Sequence, residues 1–511
     1  MKPSFSLLCL LLAGYDVTAQ AKIERQPSSR PNIILFLVDD MGWQDTSLPF
    51  WNQKTSNNDI YETPNMERLA RKGMMFTQAY ANSVSSPSRV SLFTGMNSSR
   101  HRVTNWTLER NVSTDNKNEV LEFPEWNVNG FCQQPGMERS TYATSLAQVL
   151  KNSGYHTIHC GKAHFAARTT PGENPLNLGF DINIAGFAGG APGSYLAADN
   201  FGNHTDGTPS SPFAIPGLNK YYGKDLFLTE ILTKEALQSL DNRDKQQPFF
   251  LYMSHYAIHG PLDRDMRYFA KYKAKGLSNM DAAYAALIEG MDKSLGDIMN
   301  YLDEKQLTEN TIILFMSDNG GYAMEKYDNT PPFFHNAPLN SGKGSAYEGG
   351  IREPMIVSWP GKTPAGSTCN EYVIIEDFYP TILEMAGIKK YKTVQQIDGE
   401  SFVPLLKQTG NPSKGRSLYW NFPNGWGYNA PGLGASCTIR KGNWKLIYYY
   451  ETGKKELFDI QSDISEQVNL ADKELNRVKK MSKELGTYLR KVKAQRPKIK
   501  KTGNYAPWPD E

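Results

Sequence analysis

An excess of charge of one sign is missing from this sequence: over 511 residues, 56 basic side chains stand against 53 acidic ones, a formal balance of +3. No global field directs the protein toward nucleic acid or an anionic membrane, so anion binding must come from local clusters. Cysteine is scarce, with five in all. None forms a Cys-x-x-Cys pair, which leaves zinc and thioredoxin-like chemistry unsupported. Cys132, Cys160, Cys369 and Cys437 could pair, but a chain this long does not need disulfides, and their pairing is not readable. Long apolar runs are missing as well. The run from Phe5 to Ala13 is too short to cross a bilayer of about 30 Å. It follows Lys2 and precedes Val17-Thr18-Ala19, so residues 1–19 read as a secretory signal, with a periplasmic or extracellular product as the consequence.

What is present is enough apolar sequence, 39%, for a large core. Asn32–Val38, Pro248–Ser254 and Thr311–Met316 are continuous apolar runs of strand length, the pattern of strands buried on both faces of a mostly parallel sheet. Helical patterns fall between them: Thr63–Gly73 is punctuated as a capped helix, and Ala282–Leu302 carries an apolar stripe. The expected fold is α/β, a large mixed, mostly parallel sheet flanked by helices. Beyond a polar linker near 411–414, short runs separated by Gly and Asn suggest a smaller antiparallel sheet, then a helix over Leu475–Val492. The expected domains are 30–410 and 411–511.

Chemistry-bearing residues gather at the strand exits. Asp39-Asp40 follows the first strand, and Asp318-Asn319 follows Thr311–Met316. Adjacent carboxylates at a buried strand end are costly unless neutralised, and a hard divalent cation or a solvated turn would each account for them. Ser85-Ser86-Pro87-Ser88 reads as a tight turn feeding a helical run from Arg89 to Phe93, a ready anion site with a fixed cation nearby. Thr157–Cys160 reads as a short strand delivering Gly161-Lys162-Ala163-His164. His255 and His259 follow Ser254, and Lys343 lies in a Gly-rich stretch. The segment from His101 to Pro135 loses periodicity and is rich in Asn and aromatic residues. It reads either as a rim that stacks sugars or as a surface excursion whose rings cover the core.

Ser85-x-Pro87-Ser88-Arg89 followed by Leu92-x-Thr94-Gly95 resembles the signature of the type I sulfatases, in its serine variant. Gly161-Lys162-x-His164, Gly342–Pro354 and Glu456–Ala471 resemble further family motifs, so the resemblance runs from Asn32 to about Ala471. It implies an alkaline-phosphatase-like fold and a secreted sulfuric-ester hydrolase acting on sulfated saccharides. It also implies a formylglycine made from Ser85 by a serine-type maturating enzyme. Asp39, Asp40, residue 85, Asp318 and Asn319 would hold calcium, with magnesium less favoured. Arg89, Lys162, His164, His259 and Lys343 would surround the sulfate, with His259 the first candidate for the acid. The chain departs from the pattern at Ser85, where cysteine is commoner, and at Ala163, where an aromatic residue is usual. A phosphoesterase of the same superfamily and a glycan-binding homologue with Ser85 unmodified are the rival readings. Within the carbohydrate reading, an exo-like pocket for a galactose-type sugar is the first guess.

Overall fold

The computed structural model describes residues 1, 30–324, 333–426 and 431–511, so the signal segment, apart from Met1, lies outside the described residues. The strands of the main sheet are, in chain order, Asn32–Val38 (β1), Met74–Tyr80 (β2), His156–Gly161 (β3), Ile182–Ile184 (β4), Phe249–Ser254 (β5), Thr311–Ser317 (β6), Arg352–Ser358 (β7), Ser367–Cys369 (β8) and Val373–Ile374 (β9). They lie in the order β8-β2-β7-β6-β1-β5-β3-β4, with β9 also paired to β2. β1 runs parallel to both neighbours, its Leu35 standing between Tyr252 and Leu314. β7 alone among these is antiparallel, to β6 on one side and β2 on the other.

The flanking helices are Pro64–Lys72 (α1), Ser85–Thr94 (α2), Leu146–Asn152 (α3), Leu228–Asn242 (α4), Asn279–Glu304 (α5) and Phe378–Met385 (α6). Side chains alternate across a strand, so a strand covered on both sides must be apolar throughout. In β1, Ile34, Phe36 and Val38 join the core under α1, α4 and α5. Ile33, Leu35 and Leu37 join the core under α2, α3 and α6. The apolar stripe read over Ala282–Leu302 is on the inner face of α5: Leu287, Met291, Leu295, Ile298, Met299 and Leu302 are all buried there.

Two local readings are corrected. The Ser85–Ser88 segment is not a turn before a helix; it is the first turn of α2, with Val84 as N-cap. Pro87 is tolerated because N–H groups of the first turn have no partner within the helix. Thr63 does occupy the N-cap position of α1, but its side chain gives no cap bond. Its hydroxyl bonds Thr46 and Ser47 instead. The cap comes from Asp292 of α5, which accepts from the backbone of Asn65 and Met66.

The C-terminal part holds an antiparallel meander of Ser417–Phe422 (β10), Ser436–Lys441 (β11), Trp444–Tyr449 (β12) and Lys455–Asp459 (β13), and the helix Leu475–Lys491 (α7). Met481, Leu485 and Leu489 of α7 pack on Ile439 and Leu446 of the sheet. β13 is not apparent as a strand in the sequence because its only apolar residues, Leu457 and Phe458, are flanked by Glu456 and Asp459. All four cysteines named above are free and buried. Among the described residues no helix is long and apolar enough to cross a membrane.

Candidate active site

The sheet brings the exits of several strands to one edge. β1, β3, β5 and β6 are mutually parallel, so Asp39, Lys162, His259 and Asp318 leave from the same side. Because β7 runs the other way, the loop before it, with Lys343, arrives at that edge too. β2 is antiparallel to β7 and ends there, feeding Ser85 at the start of α2. Close packing of loops fixes the geometry. At Gly161, with φ of 101°, a Cβ would lie 1.9 Å from the Ser254 carbonyl oxygen. Only glycine fits there, which lets Lys162 turn inward at the next position. The Lys343 loop is tied to the segment leading into Ser85 by Gly344, whose N–H donates to the Ser83 carbonyl at 2.7 Å.

Ser85 Oγ is within 3.2 Å of Asp39 Oδ1, 3.0 Å of Asn319 Oδ1 and 3.0 Å of Lys162 Nζ. The Lys162 ammonium donates to both Asp39 oxygens at 2.7 Å. Lys343 Nζ is 2.7 Å from Asp40 Oδ1, and Asn319 Nδ2 donates to the same oxygen at 2.7 Å. His259 Nε2 stands 3.7 Å from Asp40 Oδ2, while its Nδ1 bonds the Gly260 carbonyl. His164 Nε2 is 2.9 Å from the Thr107 carbonyl oxygen. The sequence-predicted residues are therefore brought together, with one difference of role. Arg89 is fully buried and does not line the cavity. It donates to Asp318 at 2.8 Å, to Ser254 at 2.6 Å and to the Lys162 carbonyl at 3.0 Å. One helical turn beyond Ser85, it points down to the strand exits and positions Asp318.

Burial opposes ionisation of every group here, and the neighbours decide which groups stay charged. Burial pushes Asp39 up to about 7 against the pull of Lys162. Asp40 is buried as deeply, but Lys343, His259 and Lys162 together outweigh that and hold it below the carboxylate range. Burial lowers Lys162 to about 8, whereas for Lys343 the attraction of Asp40, Asp39 and Asp318 overcomes burial and raises it. Burial, then Lys343, depresses His259 to about 3, and burial, then Lys162, depresses His164. In formal charge, Asp39, Asp40 and Asp318 are balanced by Arg89, Lys162 and Lys343. The three carboxylates offer oxygens within 4.8 Å of one another. With the Asn319 amide oxygen beside Ser85 they form an all-oxygen donor set that fits a hard divalent cation. Such an ion would leave the site net positive, which suits an anionic ester.

Ser85, Lys162, His164, His259 and Lys343 line a cavity of about 390 Å³. Its upper walls include Trp106, Phe213, Tyr322 and Trp426. Of the rings at Trp106, Phe123, Trp126 and Phe131 in the 101–135 segment, Trp106 alone lines the cavity: Trp126 and Phe131 are buried core residues, and Phe123 packs against the C-terminal cluster. Trp420 also faces inward, its Nε1 donating to the Ala81 carbonyl at 2.8 Å. The sequence reading passed over Gly190, Ala191, Phe213 and Tyr322. The glycine-rich run at 189–193 is a local signal for Gly190 and Ala191 alone. A Cβ at Gly190 would meet the His164 ring at 2.4 Å, so glycine lets that loop lie over the histidine.

The Sulfatase family profile matches residues 31–388, and the profile described as N-sulphoglucosamine sulphohydrolase, C-terminal, matches 342–495. A sulfatase of Formosa agariphila is 28% identical over 520 residues, covering 92% of this chain and 90% of that protein. The N-acetylgalactosamine-6-sulfatase of Mus musculus is 31% identical over 386 residues, covering 74% of this chain and 66% of its own length. Among solved structures, Ps i-CgsB in complex with k-i-k-neocarrahexaose superposes with a TM-score of 0.71 at 28% identity, covering 90% of this chain and 93% of that one. A serine at the head of α2, held among three carboxylates and two lysines at one edge of this sheet, thus occurs in a chain whose matches are sulfatases along most of its length, and the chain belongs to the sulfatase family, as a sulfuric-ester hydrolase of alkaline-phosphatase-like fold.

Proposed function

We propose that this protein removes sulfate from sulfated carbohydrates, using a formylglycine made from Ser85 and a calcium ion held by Asp39, Asp40, Asp318 and Asn319. The observation that carries the reading is the placement of Ser85 Oγ within 3.2 Å of Asp39, Asn319 and Lys162, on a cavity with two indole walls. In hydrated form the oxidised residue offers one hydroxyl to attack sulfur and a second to expel sulfate and restore the aldehyde. Calcium would add Lewis acidity at that hydroxyl and at the sulfuryl oxygens.

The chain's own side chains do the rest. Lys162 and Lys343 face the cavity and neutralise charge on the sulfuryl oxygens as the sulfur–oxygen bond to the sugar breaks. His259 gives a proton from Nε2 to the departing alcohol oxygen, with Gly260 fixing the opposite ring nitrogen. Lys343 helps depress this histidine, so an anionic ester beside the lysine restores its basicity when it is needed. Arg89 holds Asp318 in place. Trp106 and Trp426 offer ring faces to the sugar.

The sulfated-sugar reading draws support from relatives named N-acetylgalactosamine-6-sulfatase and from a neighbour solved in complex with k-i-k-neocarrahexaose. A galactose-type sugar is the first choice. Domain limits of 30–410 and 411–511, export, and a transient encounter with a serine-type maturating enzyme belong to the same proposal. The test is mass spectrometry of residue 85 in active protein, with sulfate release from sulfated disaccharides measured against phosphate-ester controls. Residue 85 two hydrogens lighter than serine, with sulfate released faster than phosphate, is expected. An intact serine in active enzyme, or faster phosphate turnover, overturns the reading.

A further inference from the structure

We infer that the glycan attached to the sugar in the cavity continues outward over a basic trough made by the 115–125 segment and the C-terminal tail, a second binding surface for the anionic polymer. The inference rests on the carbohydrate reading above and extends it from one sugar to a chain.

Three depressions share walls. Asn116 lines both the catalytic cavity and an outer depression of about 480 Å³. Phe123 and Pro124 line that depression and a further one of about 570 Å³. The junction is tight: Gly425, on the cavity wall, lies so close to Phe123 that a Cβ would sit 2.7 Å from its ring. An occupant of the trough therefore begins at the mouth of the cavity.

The trough is basic without being uniformly so. Lys117, Arg139 and Lys500 line its near part and Arg102, Lys493, Arg496 and Lys498 its far part. Asp115, Glu119, Glu122 and Glu125 line it as well. Several cations are already engaged: Lys498 faces Glu122 at 3.7 Å, Arg496 faces Glu511 at 3.2 Å, and Lys500 donates to the Asn118 carbonyl. The ammonium groups of Lys117 and Lys493 have no hydrogen-bond or ion-pair partner among the described residues, and both side chains are exposed. Tyr505 exposes 57% of its surface beside Arg496 and Lys498. An exposed ring flanked by cations fits a sugar that carries an acidic group. In a protein of nearly balanced charge, free lysines in a trough that starts at the active-site mouth favour a polyanion joined to the substrate.

The test compares the unaltered protein with the Lys117→Glu/Lys493→Glu variant. Binding of polymeric chondroitin sulfate and ι-carrageenan is measured at several salt concentrations, with desulfated polymer as control, alongside turnover of a sulfated disaccharide by matured enzyme. The variant should bind polymer about tenfold more weakly, with the slope of log affinity against log salt reduced by about two. Disaccharide kcat/KM should stay the same. Unchanged polymer affinity and salt slope, or equal losses on polymer and disaccharide, overturn the trough. If lysine-dependent polymer binding persists while no sulfated carbohydrate is turned over, the catalytic reading fails and the surface stands.

Discussion

Two clusters of buried charge sit in this molecule, built from similar residues and doing different work. At the strand exits, Asp39, Asp40 and Asp318 are matched by Arg89, Lys162 and Lys343. Between the two sheets, Glu348 and Glu466 hold the fully buried Lys445 at 3.1 and 2.8 Å, and Arg352 approaches Glu348 at 3.3 Å. Tyr80 also donates to Glu348, and the Glu348 N–H donates to Glu466. The first cluster opens on a cavity through Ser85, Lys162 and Lys343; none of the second cluster's residues lines that cavity. Both must satisfy their charges to exist at all. What separates a site from a clamp is that one cluster's carboxylates lie behind a serine and two lysines that line a cavity, while the other's are held by cations from two sheets away from it. The clamp also lies one short helix from the Lys343 loop, so the C-terminal sheet braces the active-site edge.

The largest effect that would sharpen this contrast is at Ser85. Ser85→Ala should lower kcat/KM for a sulfated disaccharide by about 10⁴ or more, while circular dichroism and the urea midpoint stay close to the unaltered values. Asp318→Asn comes next: bound metal measured by elemental analysis should be lost and activity should fall by about 10³. Asn is the cleaner change, since it keeps the side-chain volume and one carbonyl oxygen facing the buried Arg89, whereas Ala would leave a cavity there as well. Retained metal would remove Asp318 from the donor set.

Lys445→Met tests the other cluster. It takes the lysine from both carboxylates and leaves the buried Glu466 without an ion pair, while Glu348 keeps Arg352, so urea unfolding should show a loss of about 3–5 kcal/mol, with kcat of the folded enzyme within about twofold. A loss of metal or of kcat comparable to that of Asp318→Asn would erase the distinction between clamp and site. A smaller effect is expected from Trp106→Ala, about a tenfold rise in KM with kcat little changed, if the ring grips the sugar without joining the chemistry.

The smallest effect, taken per pH unit, is on acid stability. His101 is buried, with Nε2 on the Ser91 hydroxyl and Nδ1 accepting from the Val103 N–H. Burial lowers it from 6.5 to about 3. Below 6.5 the unfolded chain takes up a proton that the folded one refuses, so its contribution to stability is full above 6.5 and is lost progressively as pH falls toward 3. His101→Gln should flatten the acid side of the stability profile by up to about 1.4 kcal/mol per pH unit. An unchanged slope would show that the imidazole protonates in place.

Legibility followed range. β1, β5 and β6 were readable because burial on both faces leaves a local mark, an unbroken apolar run. Their acidic ends were readable because adjacent carboxylates after such a run are rare without a reason. The Asp292 cap of α1 was not, because it comes from a helix 227 residues further along the chain. Tyr322 and Phe213 carry no local signal either; each is one aromatic residue in an irregular segment. Arg89 was legible as a cation near Ser85, but its direction was set by the first turn of α2, which the sequence suggested lay later.

The sequence by itself determined that strands buried on both faces end in oxygen and cationic side chains, and that a serine heads a short segment ending at a glycine stop. Periodicity and local chemistry encode those facts because each is settled within a few residues. Tertiary structure alone decided that these ends meet. The order β2-β7-β6-β1-β5-β3, with β7 reversed, sets the exits of Ser85, Asp318, Asp39, His259 and Lys162 side by side, and brings Lys343 to the same edge. Strand order follows from crossovers hundreds of residues apart and from which helix faces pack together, and no local pattern records either.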